Sequence, residues 1–407
     1  MFPLIKTIDD VRPAIAGRTE FVVAERDWGF VIDYQVSLQD TFPAGNDMRR
    51  ECRGIKFDRD GNIIGRPLHK FFNLGEKESA KQLGDDGRFE QNFDVLQKLD
   101  GSMIHPILWD DEVWFCTRMG INEISDQAAT FVGDRLDPEW ESKKWYLDFC
   151  YDMMQSGYTP IFEWCSLSQR IVIFHDKPSL TLLAIRHMNT GEYLTRGKMR
   201  ALAEPYNIPM VGLFEHEWTG IDTLSRVVRD LEGEEGVVIR WHDGHSIKLK
   251  GEWYLAIHRN MDEIRFEKRV VGLVVNNQVD DMIPFLLPPD AERLLRYQTD
   301  FWANIDAKVE WLKRLVTEAR LYADDQGYDD KAGRIYFKET HVDPRDVNWS
   351  GILWALWNRK DAREAILTKI KKEFMLDVVG AKRGGTGNRV TAMRELGLLP
   401  EKAWEKY

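Results

Sequence analysis

A lysine amine acts as a nucleophile only when neutral, a state favoured by burial and by nearby cations or a metal ion. Lys98 opens the stretch Lys98-Leu99-Asp100-Gly101-Ser102, directly ahead of "MIHPILW", which reads as a buried strand. An Asp-Gly pair is also an ordinary turn signal, so these residues alone leave Lys98 as either a solvated side chain beside a turn or a nucleophile held by one. Lys248 and Lys250 stand two apart in "SIKLK", and a strand would turn both to one face, as an exposed basic edge or as a pair gripping one phosphate. Glu235 and Gly236 precede the apolar "VVIRW", where the carboxylate either holds a divalent cation or sits in a solvated turn. Glu163 lies inside "PIFEWCS", and a carboxylate among apolar neighbours needs a partner, a ribose hydroxyl or a structural arginine.

The elements that must position these groups fall into two regions. Up to about residue 255, short β-branched and aromatic runs such as "FVIDYQVS", "RGIKFD", "EVWFCTR", "IFEWCS", "RIVIF", "LTLLAIR" and "GVVIRW" alternate with turn signals at Asp60-Gly61, Asp110-Asp111 and Asp243-Gly244. Helical stretches are expected near 139–157 and 222–232, which makes this part α+β and rich in antiparallel sheet. Beyond it, "NNQVDDMIPFLLPP" reads as a loop with Asp290 capping the next helix. Ile305, Val309, Leu312, Val316 and Ala319 form one helical stripe over 301–322, and further helices are expected at 349–358 and 361–379, the last with Ile366, Ile370 and Phe374 in register. The remainder of the chain is therefore all-α.

At 407 residues two domains are expected, and 43% hydrophobic with 30% charged residues describes a globular protein. A net charge of −11 argues against a general coat for nucleic acid, so any cations for phosphate must be local, as in Arg49, Arg50, Arg53 and Lys56 or Lys248 and Lys250. Cys52, Cys116, Cys150 and Cys165 show no metal or disulfide spacing, and reduced thiols are expected. No run approaches the roughly 18 apolar residues of a membrane span, and the start lacks the pattern of a signal peptide. A cytoplasmic location is expected.

The order Lys-x-Asp-Gly, a strand glutamate, Glu-Gly-x-Val, then Lys-x-Lys resembles the covalent nucleotidyltransferase superfamily of ATP-dependent ligases and capping guanylyltransferases. Within it the chain is most similar to the phage RNA ligase 1 family of T-even type, through "ECRGIKF", "RPLHKFFNLGE", "QKLDGS", "FEWCSLSQRIVI", "LLAIRHMNTGEYL" and "EGVVIRWHDGHSIKLKGEWYLAIH", and more loosely "SGILWALW" and "IKKEFM". The resemblance implies an ATP-grasp-like nucleotidyltransferase domain over 1–255 and a smaller helical domain over 256–380 for RNA specificity. Residues 381–407, with the glycine-rich "RGGTGNR", form a tail of unassigned role.

The same resemblance implies an ATP-dependent RNA ligase that joins 3′-hydroxyl and 5′-phosphate ends, with a broken tRNA anticodon loop or other single-stranded RNA as substrate and a monomer as the working form. Lys98 would take AMP from ATP, with Asp100 and Gly101 completing its motif, and Lys248 and Lys250 would grip the α-phosphate. Arg53 and Lys70 would lie near the phosphates, Glu163 on the ribose, and Glu235 with Mg²⁺, for which Mn²⁺ can substitute. Tyr34, Phe72 and Tyr254 would line the nucleotide site. The sequence departs from the family at "TRMG", where Arg118 replaces a lysine and offers a planar fork in place of a point donor, and at Leu99, where the T-even relative has an acidic residue. A DNA ligase, a capping guanylyltransferase and a non-catalytic RNA-binding relative are the competing readings.

Overall fold

A computed structural model describes residues 2–43, 45–76, 92–133, 143, 145–167, 171–344, 347–372, 390 and 393–404. The chain divides into two compact units, Met1–Ala256 and Ile257–Lys406. No helix among the described residues is long and apolar enough to cross a membrane.

The first unit is built on strands β1 (Phe21–Arg26), β2 (Gly29–Tyr34), β3 (Arg53–Phe57), β4 (Ile63–Gly65), β5 (Phe72–Asn73), β6 (Phe93–Gln97), β7 (Ser102–Trp109), β8 (Glu112–Cys116), β9 (Tyr158–Cys165), β10 (Ser179–His187), β11 (Gly236–Trp241) and β12 (Ser246–Lys250). They form three four-stranded sheets with orders β1-β2-β3-β4, β10-β9-β7-β8 and β5-β12-β11-β6. Pairing is antiparallel throughout, apart from the short parallel pair β5–β12. The β7–β8 hairpin turns on Asp110 and Asp111, both with positive φ (51° and 59°), as a two-residue loop requires.

Strand periodicity decides which side chains face the core. In β11, Val237, Ile239 and Trp241 are buried, and Ile247 and Leu249 of β12 join them in one hydrophobic cluster. Val238 and Arg240, with Lys248 and Lys250, are thereby turned to the opposite face. Helices Trp145–Gln155 and Ile221–Arg229 stand where helices were expected, residues 139–142 lying outside the described set. The run "RIVIF" is not a strand: from 171 onward it bends, and its backbone is committed elsewhere, as shown below.

A buried charge cluster fastens the unit together. Arg66 and Arg186 are wholly buried, and both bind the equally buried Glu51, Arg66 through Nε at 3.0 Å and Arg186 through Nη2 at 2.8 Å. Their remaining donors go to the carbonyls of Met188, Asn189, Pro3, Gly191 and Pro67. Burial alone would raise the Glu51 pKa, and the two guanidiniums, Arg186 then Arg66, reverse this and hold it at about 2. The cluster thus joins the short helix Asp47–Glu51 just ahead of β3 to the segment after β4 and to β10.

The described residues of the second unit contain helices and no strand. The helix Pro288–Asp325 runs 38 residues, with Pro288 at its start and Leu294, Phe301, Ile305, Leu312 and Ala319 on its buried stripe. Asp290 is not the cap but a buried residue of the first turn, since proline's fixed φ already suits the opening position. The expected loop before it contains the short helix Val279–Met282 and a 3₁₀ turn at Ile283–Phe285. Val347–Trp357 and Ala362–Ile370 are helical, with Ile366 and Ile370 buried; Phe374 and "RGGTGNR" lie outside the described residues. Residues 393–404, expected as part of a separate tail, pack into this unit: Met393, Leu398, Leu399 and Trp404 enter its core, and Trp404 Nε1 donates to Ile264 O.

Glu51→Ala leaves two buried guanidiniums without a counter-charge and is expected to cost about 3–5 kcal/mol in urea unfolding. A loss below about 1 kcal/mol, the worth of an exposed pair, would contradict that role for the cluster.

Candidate active site

Lys98 sits where the chain leaves β6 for β7, passing from one sheet to another. Its backbone N–H donates to Gly236 O at 2.9 Å, extending the β6–β11 ladder by one residue beyond Val237–Gln97. The chain then passes so close to β9 that a Cβ on Gly101 would stand 2.3 Å from Trp164 O, which is why only glycine fits there. The neighbouring strand sets this constraint.

A cavity of about 720 Å³ opens beside Lys98. Leu96, Val238, Arg240 and Lys248 supply one wall, Met103 and Glu163 another, and Asp33, Tyr34 and Arg53 a third, with Arg118 on the turn after β8. Lys98 and Gly101 also line it. Lys250, Glu235, Asp100, Lys70, Phe72 and Tyr254 are not among its lining residues.

Glu235 bridges two lysines. Its Oε2 meets Lys98 Nζ at 2.6 Å and its Oε1 meets Lys250 Nζ at 2.9 Å, while its own side chain is only 4% exposed. Next to it, Gly236 adopts φ +139°, and a Cβ there would lie 2.1 Å from Leu249 O, so the glycine after Glu235 is a steric requirement of the β11–β12 edge. Burial lowers the Lys248 pKa to about 8, with Lys70, Lys98, Lys250 and Arg53 adding to the effect. Burial raises the Glu163 pKa to about 7, opposed by Lys98 and reinforced by Glu235. Glu163 and Lys248 thus titrate close to neutrality within one cavity.

Asp100 is buried, and both its oxygens are occupied. Oδ2 accepts from Val172 N and Ile173 N, each at 2.7 Å, and Oδ1 accepts from Tyr254 OH at 2.7 Å. His175 Nε2 lies 3.0 Å from the Asp100 carbonyl. These bonds explain why "RIVIF" does not pair as a strand: two of its N–H groups are spent on the carboxylate. Asp100 and Tyr254 therefore hold the lysine-bearing turn in place and do not face the cavity. Phe72 is likewise a core residue, and with Tyr34 and Phe42 it surrounds Lys70, whose ammonium lies 5.1–5.9 Å from the three ring centroids.

Arg118 is held by Asp33, with Nη2 at 2.7 Å from Oδ1, and its guanidinium lies 4.5 Å from the Tyr34 ring centroid. Arg53 Nη1 donates to Leu68 O at 3.3 Å. Lys56, expected in a local basic patch, is fully buried: its amine contacts the carbonyls of Gly54 (2.8 Å), Thr117 (2.9 Å) and Arg118 (3.3 Å), with His105 Nε2 at 2.8 Å. Burial lowers its pKa to about 8. It fastens β3, which carries Arg53, to the turn that carries Arg118. Among the described residues no group of three or more His, Cys, Asp or Glu is arranged to hold a metal ion. Asp33 in "VIDY" and Arg240 in "VVIRW" were not singled out from sequence, although each is a charge inside an apolar strand, the signal that did mark Glu163.

A carboxyl whose pKa moves from 4.5 to about 7 on folding holds its proton more tightly in the folded state. Its contribution to stability is full below pH 4.5 and is lost as pH rises through 7. Glu163→Gln should therefore stabilise the protein at pH 8, by on the order of 3 kcal/mol at most, and change little at acid pH. Denaturant unfolding at both pH values checks this, and an effect independent of pH would count against it.

Comparison with known proteins falls on this same region. The family model described as RNA ligase matches residues 51–254, just over half of the chain. A Thermovibrio ammonificans protein provisionally named an RNA ligase is 26% identical over 349 residues, which cover 82% of this chain and 87% of that protein. RNA ligase 1 of Bacteriophage TS2126 is 27% identical over 363 residues, 79% of either chain. Among solved structures, an archaeal ATP-dependent RNA ligase aligns at a TM-score of 0.42 and 15% identity, over 63% of this chain and 64% of that one. With the family match running unbroken from β3 through β12, the chain belongs to the RNA ligase family.

Proposed function

We propose that the protein is an ATP-dependent ligase that joins an RNA 3′-hydroxyl to a 5′-phosphate through an adenylate carried on Lys98. The observation that carries this reading is the placement of Lys98 against Glu235 at the edge of a cavity that also holds Arg53, Glu163 and Lys248. In the first step the Lys98 amine attacks the α-phosphorus of ATP, an N–P bond forms, and the P–O bond to the β-phosphate breaks to release pyrophosphate. An oxygen of the RNA 5′-phosphate then attacks the same phosphorus and frees the lysine. Last, the 3′-hydroxyl attacks the 5′-phosphorus, loses its proton and expels AMP. Each step is a displacement at phosphorus, so positioning and charge neutralisation carry the catalysis.

Lys98 must lose a proton before it attacks, and Glu235 Oε2, at 2.6 Å, is the acceptor within reach. Lys248 and Arg53 face the phosphates from the cavity walls, and Glu163 accepts from the ribose hydroxyls. Lys250 acts from behind, holding the second oxygen of Glu235. Glu235 suits Mg²⁺ or Mn²⁺ shared with substrate phosphate oxygens, since such ions are bound by one or two carboxylates and do not need a full protein cage. Such an ion would neutralise phosphate charge and favour the neutral lysine. The helical unit would select the RNA, with single-stranded RNA or a broken anticodon loop as substrate, and the protein would act as a monomer in the cytoplasm.

With Mg²⁺ and α-labelled ATP, label should remain on the protein after denaturation and move to 5′-phosphorylated RNA in a chase. GTP should give no label, and Lys98→Ala none from either; label surviving that substitution would remove Lys98 as the nucleophile.

The pH dependence follows from two groups. Glu163 accepts best from the ribose once ionised, above about 7, and Lys248 holds phosphate while protonated, below about 8. The kcat/KM for adenylate transfer from ATP should peak between these values and fall on either side. Lys248→Met should lower the whole profile and remove its alkaline limb; an unchanged limb would assign that titration to another group.

A further inference from the structure

Resting on the ATP reading above, the layout of the cavity gives the nucleotide a direction. Lys98 is bonded to Gly236, the first residue of β11, and Lys248 pairs with Val238, one step further along the same face. Arg240 is the next residue on that face, roughly 7 Å beyond Val238. Around it the cavity wall is apolar, formed by Leu96, Leu183, Val211 and Val238. The phosphate-facing cations Arg53, Lys98 and Lys248 lie toward the other end, so a nucleotide with its α-phosphorus at Lys98 lays its base over Val238 and toward Arg240.

The Arg240 guanidinium is underused where it stands. Nη1 donates to Leu183 O at 2.9 Å, and the ring of Tyr193 lies 5.3 Å away. Nε is buried without a hydrogen-bond partner among the described residues. A guanidinium has five N–H donors and no acceptor, so it can read only acceptor atoms. On an adenine held flat against apolar side chains, the acceptors presented at the edge are ring nitrogens. Asp94 stands opposite Arg240 on β6 and its charge acts on the guanidinium, yet Nε is left unbonded, and a buried N–H without a partner has a strong reason to take one of those nitrogens.

We infer that Arg240 is a base-reading residue of the nucleotide site, donating a hydrogen bond to a ring nitrogen of the purine. The test measures pyrophosphate release on lysine adenylation with ATP and with 1-deaza-, 3-deaza- and 7-deaza-ATP, each of which replaces one ring nitrogen by C–H. One analogue should raise the KM of the wild type fivefold or more with kcat nearly unchanged. That penalty should disappear in Arg240→Met and persist in part in Arg240→Lys, because a merely structural arginine gives no reason for one nitrogen to matter. Equal KM values for all four nucleotides in the wild type would overturn the assignment even if neither variant folds. A penalty undiminished in Arg240→Met would overturn it as well. Wild-type protein that releases no pyrophosphate from ATP would instead bring down the ligase reading, and with it the assignment of Arg240.

Discussion

The site depends on one buried carboxylate with a lysine on each oxygen. Burial first, and then the charges of Lys70, Lys98, Lys250 and Arg53, hold the pKa of Lys248 down at about 8. Glu235 supplies the opposing charge, binding Lys98 and Lys250 at 2.6 and 2.9 Å. Its burial strengthens both contacts, since charges attract more strongly away from water. The pairing also sets the chemical problem: the proposed nucleophile starts paired to a carboxylate, and the proton must pass from one to the other for attack to begin.

Around this centre, groups that a motif would name as chemical serve as scaffold. Asp100 uses both oxygens to hold the loop at Val172 and Ile173 and the hydroxyl of Tyr254. Lys56 gathers three carbonyls and an imidazole between β3 and the turn of Arg118. Each puts a buried polar group to work satisfying several backbone atoms at once, and so fixes segments without regular pairing of their own. Loss of either would release a segment that positions Lys98 or Arg118.

What was legible in the sequence was whatever depends on local period. The alternation of "GVVIRW" and "SIKLK" assigns Lys248 and Lys250 to one face, because residues two apart on a strand share a side. The stripe through Ile305, Leu312 and Ala319 is buried along one helix for the corresponding reason at a period of 3.6 residues. Glu163 announced itself as a charge in an apolar strand. By the same rule Asp33 and Arg240 were open to detection, and "RIVIF" misled, since β-branched residues mark a strand only if their N–H groups are free to pair.

The residue types of the site, their order, and the face each strand presents were thus determined by the sequence itself, through short-range stereochemistry. The tertiary structure alone decided which partner each charge received. Lys250 could have faced a ligand and instead binds Glu235; Lys56 could have faced solvent and instead fills a core position; Phe72 could have lined the cavity and instead packs beneath Lys70. The contacts that bring the sheets together are the ones no local pattern contains: Lys98 meets Glu235 from a distant part of the chain, and Lys56 meets His105 and Thr117 from 49 and 61 positions away.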